Sequence, residues 1–235
     1  MASQVDTIRA ELKRLGDRQK AKILQGFFKT GPGGYGEGDM FIGVKVPELR
    51  RLSKKHDLPI GGMRKLLRSP VHEERLLALF MFIRAYSKAA PDIKKQIYEL
   101  YLASTRYINN WDLVDSSAEH IVGNYLGNRS RRPLRRLAKS KDVWERRIAI
   151  MATFCYIKQN DYEDALEISG MLLHDEEDLI HKAVGWMLRE IGNRDIEVEE
   201  RFLKRYYNGM PRTMLRYAIE KFPEPKRQRY LKGKV

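Results

Sequence analysis

The chain has 235 residues, enough to bury a substantial hydrophobic core as one large domain or a continuous array. Its 45 Lys and Arg against 31 Asp and Glu give a net charge of +14, which favours a phosphate-rich partner or an anionic membrane surface. The single cysteine excludes an internal disulfide, and the charged N-terminus is unlike a signal peptide. No apolar run is long enough to cross a bilayer. We therefore expect an intracellular, soluble protein.

Nearly every segment shows the periodicity of an amphipathic helix, and neither sustained alternation nor an Asn-Gly hairpin indicates strands. Three prolines stand where helices are expected to begin: Pro47, Pro91 and Pro211. The predicted helices cover residues 4–14, 18–29, 46–56, 60–68, 72–86, 91–105, 111–126, 130–139, 143–158, 162–173, 178–192, 195–207 and 211–221.

The one long break in this pattern is the glycine-rich stretch from Thr30 to Gly43. Gly31, Gly33 and Gly36 fit the dinucleotide-binding pattern G-x-G-x-x-G, but that pattern needs a preceding strand and here a helix precedes it. No Gly-Lys-Ser/Thr follows, which excludes a P-loop. We interpret the stretch as a flexible connector, with close approach of its backbone amides to a phosphate as the alternative.

Alanines recur in the middle of predicted helices at spacings of 31 to 40 residues: Ala78, Ala118, Ala149, Ala183 and Ala218. A small residue once per repeat lets paired helices pack closely, and a period of roughly 30 to 47 residues is typical of α-solenoids. Because the tetratricopeptide signature is missing, we predict an all-α solenoid of HEAT-like helical repeats. It should form a single domain over residues 1–235, with a concave surface suited to a rod-shaped partner.

The segment from Asn110 to Ser117 places Trp111 and Asp115 four residues apart, so on a helix both project from one face. In a strongly basic chain, an indole beside a carboxylate suggests chemistry on a cationic group carried by a polyanion, such as an alkylated base in DNA. A surface aspartate next to a core tryptophan would have the same spacing, and that alternative stays open. Asp112 falls toward the polar side, and we expect it to tolerate replacement.

Nine basic side chains lie between Arg129 and Arg147, against only two acidic ones. Charge runs are usually solvated, but this imbalance favours contact with phosphates. The expected phosphate contacts include Arg132, Arg135 and Arg136. Arg147 differs, because it shares a helix face with apolar residues and should be held in place by packing.

Trp186 lies roughly 120° from the apolar stripe of the helix predicted over 178–192. Its neighbours at helical spacing are Lys182 and Arg189, which form a basic–aromatic–basic row with it. Contact with a ligand and capping of the next repeat are equal alternatives for this tryptophan.

Metal and nucleophile sites are poorly supported. The acidic run before His181 contains ligating residue types, but acidic residues at the start of a helix are stabilised by its dipole. Three further histidines fall at no ligand spacing: His56, His72 and His120. Cys155 is expected to be inert packing, and no lysine is placed as a nucleophile. We expect no cofactor and no metal.

Four segments, in this order, resemble the AlkD-like family of bacterial DNA alkylation repair glycosylases. They are residues 30–52, 110–115 (Asn-Trp-Asp-Leu-Val-Asp), 143–149 (Val-Trp-Glu-Arg-Arg-Ile-Ala) and 181–190 (His-Lys-Ala-Val-Gly-Trp-Met-Leu-Arg-Glu). The resemblance implies a HEAT-like solenoid that holds duplex DNA in its concave face. It also implies hydrolysis of the N-glycosidic bond of cationic N3- and N7-alkylated purines without base flipping.

By this resemblance, Asp115 is the catalytic carboxylate, and Trp111 and Trp186 are the aromatic walls of the cleft. Arg147 braces the DNA backbone, and Lys182 and Arg189 are assigned to DNA with it.

Two further DNA contacts are implied near the N-terminus. Phe27 stands where the family often has a tyrosine, so the ring is kept and the hydroxyl is lost. Arg50 lies in the first of the four segments. The expected protein is a monomeric, monofunctional glycosylase without a cofactor, acting on double-stranded DNA that contains alkylated bases, in the cytoplasm and associated with the nucleoid.

Two other classes of function were considered. A non-catalytic HEAT-like scaffold that binds DNA, including branched DNA, or an acidic protein is the main alternative. A peripheral membrane protein is disfavoured, because no helix pairs a basic face with exposed bulky apolar residues.

Overall fold

A computed structural model describes residues 3–235, which group into two compact units, one ending at Ser117 and the other running from Ala118 to Val235. Apart from an isolated bridge between Met40 and Val71, these residues form helices, turns and loops without any strand. The predicted all-α class is therefore confirmed. The single domain over residues 1–235 stays a prediction.

The first unit contains seven α-helices and one short 3₁₀ turn, Thr105–Tyr107, among its described residues. The helices are α1 (Gln4–Leu15), α2 (Arg18–Phe27), α3 (Val46–Lys55), α4 (Ile60–Leu67), α5 (His72–Lys88), α6 (Pro91–Leu102) and α7 (Trp111–Asp115). A capping box between Ser3 and Asp6 begins α1, because each residue binds a backbone amide that the first turn leaves unpaired.

Helix α5 is the centre of the first unit. It packs against α3, α4, α6 and α7, and every residue from His72 to Phe82 is buried. Its first turn therefore buries charged side chains, which need partners because an unpaired buried charge is costly. Those partners come from α7, from the glycine-rich stretch and, for Glu74, from Arg9 of α1 at 3.0 Å.

The second unit contains a π-helical turn (Glu119–Gly123), a 3₁₀ turn (Ile219–Lys221) and nine α-helices. The helices are α8 (Asn124–Leu126), α9 (Arg132–Ala138), α10 (Val143–Ala152), α11 (Phe154–Ile157), α12 (Glu163–Met171), α13 (Asp178–Gly192), α14 (Ile196–Tyr206), α15 (Arg212–Ala218) and α16 (Glu224–Leu231).

Small residues allow the helices to approach closely, as the repeat pattern predicts. All five periodic alanines are fully buried: Ala78, Ala118, Ala149, Ala183 and Ala218. In the second unit, a methyl group added at Gly185 of α13 would lie 2.5 Å from the carbonyl oxygen of Met214 in α15. The close contact between these two helices therefore depends on that glycine.

Two predicted helices are interrupted in the structure, and one observed helix was not predicted. The helix predicted over 111–126 is interrupted at Ser116–Ser117, where the hydroxyl of Ser117 donates to the carbonyl of Leu113 at 2.6 Å. The helix predicted over 143–158 breaks at Thr153, whose hydroxyl donates to the carbonyl of Ile150 in the same way. Such side-chain bonds compete with the regular backbone ladder. Helix α16 was not predicted, although proline at its N-terminus is a helix-start signal.

The glycine-rich stretch is only partly the connector that we predicted. From Thr30 to Gly38 it forms turns that are largely exposed except at Gly36, but Asp39, Phe41 and the following Val44 are buried. Consecutive amides of residues 42–44 donate to the carboxylate of Glu73 in α5, the shortest bond being 2.8 Å from Gly43. These amides are occupied by the chain's own acid, so the phosphate alternative does not apply to them.

None of the helices between residues 3 and 235 has both the length and the hydrophobicity needed to cross a membrane.

Glu199 in α14 is a buried acid without a hydrogen-bonded partner on Oε1. Its other oxygen lies so close to Gly192 that any side chain there would overlap it. Burial raises the pKa of Glu199 to about 8, although the charges of Arg189 and Lys226 lower it.

We expect Glu199→Gln to stabilise the protein at alkaline pH. The stability contributed by protonated Glu199 is fully present below the ordinary glutamate pKa of 4.5 and is lost as the pH rises through about 8. Glutamine cannot ionise, so the variant should be more stable by about 2 kcal/mol at pH 9, its own buried amide limiting the gain. Denaturant unfolding at pH 5 and pH 9 tests this, with exposed Glu197→Gln as the control. An equal effect of Glu199→Gln at both pH values would contradict it.

Candidate functional site

The short helix α7 carries the tryptophan and the aspartate that share one face. Asn110 caps it, with Oδ1 accepting from the amide of Trp111 at 2.9 Å, while Leu113 and Val114 point into the core. Trp111 and Asp115 are its first and last residues and both stay partly exposed. The backbone therefore holds an indole and a carboxylate one turn apart at the surface of the first unit.

The indole of Trp111 is supported by two phenylalanines. Phe28 stacks on it with ring centroids 5.3 Å apart, and Phe27 meets it edge-on at 6.0 Å. Phe28 is buried and stacks in turn on Phe41, whereas Phe27 is 60% exposed. Trp111 and Phe27, two of the three aromatic residues that the family resemblance assigns to the site, are thus neighbours.

Asp115 lies near a buried tyrosine. Burial raises the pKa of Tyr101, a hydrogen bond with Ser117 opposes this effect, and the charge of Asp115 adds to it. The Tyr101 hydroxyl lies 2.8 Å from Oγ of Ser117. The negative charge of Asp115 is therefore felt inside the core and is not fully screened by water.

Asp112, which we expected on the polar side of its helix, has two hydrogen-bonded partners. Its Oδ2 lies 2.8 Å from Nε2 of His72, and its Oδ1 accepts from the amide of Leu113 at 2.9 Å. This contact argues against the expectation that Asp112 tolerates replacement, because the helical angle alone does not show that a buried histidine from α5 reaches it.

His72 belongs to a buried polar network that sequence reasoning missed. Its Nδ1 lies 3.0 Å from Oδ2 of Asp39, whose other oxygen accepts from Arg75 at 2.6 Å. Asn110, the cap of α7, also donates to Asp39 at 3.4 Å. The network thus connects the glycine-rich stretch, the first turn of α5 and the first turn of α7.

The charges in this network stabilise one another. Burial by itself would raise the pKa of Asp39, but bonding to His72 and the charge and bonding of Arg75 hold it below its usual range. Burial by itself would lower the pKa of His72, but hydrogen bonds to Asp112 and Asp39 raise it overall. The available signal was the charged run His-Glu-Glu-Arg directly before the longest apolar segment.

In the second unit, Arg147 is buried at 4% exposure, and its guanidinium donates to the carbonyl of Leu179. This agrees with the expectation that packing holds it. Its role toward DNA stays a prediction.

Trp186 is half-buried in α13, where its indole nitrogen donates to Glu190 at 3.2 Å and its ring lies 6.1 Å from that of Phe154. Its two basic neighbours are both paired with acids. Lys182 pairs with Asp178 at 2.7 Å, and Arg189 pairs with Glu220. The row is therefore less positive than the sequence suggests.

The basic run divides into paired and unpaired side chains. Arg135 binds Glu167 and Asp164, and neighbouring arginines form similar ion pairs within the second unit. Arg132 and Arg136 in α9 are exposed and have no ion pair among the described residues. In the first unit, Arg50 is exposed, with its guanidinium 4.2 Å from the ring centre of Phe80.

Within residues 3–235, no three His, Cys, Asp or Glu side chains are grouped so that they could hold a metal ion. Cys155 is partly buried, and burial raises its pKa, with Glu119 adding to the effect.

Solved structures show the same fold at low sequence identity. A predicted DNA alkylation repair enzyme from Enterococcus faecalis is 16% identical with a TM-score of 0.68, over 89% of this chain and 97% of that chain. AlkD2 from Streptococcus mutans is 17% identical with a TM-score of 0.56, over 87% and 98%. At these identities, the likeness concerns the fold.

A third structure comes from a family of proteins related to the HEAT-like repeat DNA glycosylases with affinity for branched DNA structures. It is 14% identical with a TM-score of 0.59, over 88% of this chain and 83% of that chain. These relatives confirm the HEAT-like repeat class. No curated protein is significantly similar to the chain.

The sequence profile of one family, described as DNA alkylation repair enzyme, matches residues 8–222, nearly the whole length of the chain. The family that the four sequence segments resemble is thereby confirmed. The chain belongs to the DNA alkylation repair enzyme family.

Proposed function

We propose that this protein is a monofunctional DNA glycosylase that hydrolyses the N-glycosidic bond of cationic alkylated purines in duplex DNA. The observation that carries the proposal is α7, which presents the indole of Trp111 and the carboxylate of Asp115 one turn apart. Family membership supports a role in DNA alkylation repair. The lesion, the reaction and the residue roles are our proposal.

A purine alkylated at N3 or N7 is positively charged and is already a good leaving group. The aromatic faces of Trp111 and Phe27 attract that cation while it is still attached to the sugar. Departure of the base leaves positive charge on the deoxyribose, as in glycoside hydrolysis. The carboxylate of Asp115 stabilises this charge and orients the attacking water, so the reaction needs no general acid and no base extrusion.

Arg147 supports the phosphate backbone in this proposal, with Trp186, Lys182 and Arg189 as further contacts in the second unit. Because Lys182 and Arg189 already pair with acids, DNA has to compete for them with Asp178 and Glu220. Arg50, Arg132 and Arg136 are the exposed candidates, whereas Arg135 is tied to α12. As a DNA enzyme, the protein would act as a cytoplasmic, nucleoid-associated monomer.

The test is release of bases from defined duplexes that each carry one lesion. We expect release of 3-methyladenine and 7-methylguanine and poor release of uracil and hypoxanthine, because no acid is available to protonate a neutral leaving group. The product should be an intact abasic site, since no lysine serves as a nucleophile. Efficient uracil excision, or no release of either cationic base, would refute the proposal.

The second candidate is a non-catalytic scaffold that binds branched DNA, favoured by the structural relative whose family has that affinity. Binding to a four-way junction much tighter than to a duplex, together with no base release, would identify this function.

We expect the phosphate contacts of α9 to appear in the salt dependence of DNA binding. Reversing Arg132 and Arg136 to Glu should weaken binding to all sequences alike and make the slope of log K against log salt shallower by about 2, close to one unit per lost contact. Arg135 is left unchanged, since its reversal would also break its ion pairs with Glu167 and Asp164. Fluorescence anisotropy at several salt concentrations gives the slope.

The control reverses exposed Lys13 and Lys54 to Glu, which changes the net charge by the same amount on other helices. An equal loss of slope in the control would show that α9 has no special role.

A further inference from the structure

The imidazole of His72 lies between two carboxylates that both need donors. Its two ring nitrogens are 3.0 Å from Asp39 and 2.8 Å from Asp112. An ionised carboxylate only accepts hydrogen bonds, so both nitrogens donate only if the ring carries two protons and a positive charge. Asp39 is ionised in this arrangement because it also accepts from Arg75 at 2.6 Å.

Charge balance supports the same protonation state. The groups that face His72 are Asp39 of the glycine-rich stretch, Asp112 of α7 and Arg75 of α5. The two carboxylates carry two negative charges, and Arg75 compensates only one of them. A protonated His72 compensates the other and makes the cluster neutral. Glu73, the next acid on α5, is engaged by the amides of residues 42–44 and does not enter this balance.

Aromatic rings also favour a cationic imidazole. The ring of His72 lies 4.5 Å from that of Phe41 at an interplanar angle of 23°, and 5.1 Å from that of Phe28. The stacked face of Phe41 attracts a cationic imidazole, and Phe28, tilted by 37°, packs beside the same ring. Phe28 is also the ring on which Trp111 stacks, so His72 reaches α7 through Asp112 and through this phenylalanine.

We propose that His72 is a positioning residue. As a doubly protonated imidazolium, it ties the first turn of α7 to α5 and to the glycine-rich stretch. It thereby fixes the positions of Trp111 and Asp115 on α7. The part that concerns base release rests on the proposed function. His72 touches neither the base nor the sugar in this proposal. Its loss of a proton removes the hydrogen bond to Asp112 or to Asp39, and one oxygen of that carboxylate then loses its His72 donor.

The first experiment measures protonation without any activity assay. Ring ¹⁵N shifts of the full-length protein are followed from pH 5 to pH 9, with His72→Gln used for assignment. We expect both nitrogens of His72 to stay protonated at pH 8, well above the ordinary histidine pKa of about 6.5. A neutral ring at pH 8 overturns the proposal, whether or not the protein releases bases.

The second experiment measures single-turnover release of 3-methyladenine across the same pH range. We expect wild-type release to fall on the alkaline side, in parallel with loss of the His72 proton. The double variant His72→Gln/Asp112→Asn replaces the charged pair with a neutral amide pair that does not titrate. It should release base about tenfold more slowly at pH 7, without that alkaline decrease.

Exposed His120→Gln is the matched control and should keep both the wild-type rate and the alkaline decrease. Persistence of the decrease in a folded double variant overturns the role of His72. If the double variant does not fold, the ¹⁵N titration decides alone. No base release by wild-type protein would refute the proposed function and leave the ¹⁵N result as the test of the imidazolium.

Discussion

Asp115→Asn is expected to lower the rate of 7-methylguanine release about a hundredfold, which corresponds to about 3 kcal/mol of transition-state stabilisation. The change keeps the shape of the side chain and removes its charge. Asp115 is half-buried at the end of α7, and its charge raises the pKa of buried Tyr101 after the larger effect of burial. A charge at such a position acts through a lower effective dielectric than water, so its loss is felt strongly by a developing cation.

The affinity of Asp115→Asn for alkylated duplex should hold or rise, because a negative charge that faces a polyanion has been removed. Single-turnover base release and anisotropy on the same duplex separate the two effects. Exposed Asp92→Asn in α6 makes the same charge change away from α7 and should leave the rate unchanged.

Asp112→Asn is expected to act differently from Asp115→Asn, because Asp112 binds His72. It should lower the rate less than Asp115→Asn does, through the position of α7. Full activity of Asp115→Asn together with an inactive but folded Asp112→Asn would show that the catalytic carboxylate has been misassigned.

The helices could be predicted because each buries one face, and burial leaves a periodic trace in the sequence. The two helix interruptions arise where side chains override that trace. Ser117 is an example, since its hydroxyl bonds both Tyr101 and the carbonyl of Leu113 and so ends α7 early. The partner that matters is 16 residues away, and a local periodicity does not report it.

The candidate site was predictable where it is local. Trp111 and Asp115 lie one turn apart on a single helix, as their spacing indicates. The polar network that supports these two residues was not predictable, because in the sequence His72 is 40 residues from Asp112 and 33 residues from Asp39. The sequence shows only that this histidine lacks metal-ligand spacing, whereas its actual partners are the buried carboxylate of Asp39 and the partly buried one of Asp112.

Charge shows the same limit. The basic run counts as nine cations in sequence, but Arg135 and several of its neighbours are neutralised by acids about 30 residues further along the second unit. Net charge predicts a polyanionic partner, but it does not predict which side chains are available to bind that partner. Only exposure and pairing select Arg132 and Arg136 for the DNA test.

Glu73→Ala is expected to cost about 3 to 4 kcal/mol of folding free energy, the largest stability effect that we predict. The buried carboxylate of Glu73 accepts from the amides of Ile42, Gly43 and Val44 at 2.8 to 3.3 Å. Alanine leaves these donors without a partner, two of them in residues that are buried. Gly43 has a φ of +84°, a conformation that this bonding pattern uses and that other residues rarely adopt.

Denaturant unfolding measures the loss, with Glu48→Ala as the control. Glu48 is also a helix-borne acid, but it pairs with Arg51 at the surface of α3, and its removal should cost less than about 1 kcal/mol. Because Asp39 and the residues that bind Glu73 belong to the same stretch, Glu73→Ala should also loosen the support of His72. A folded Glu73→Ala protein as stable as Glu48→Ala would mean that the glycine-rich stretch is held by the buried rings of Phe41 and Phe28, and that the carboxylate contributes little.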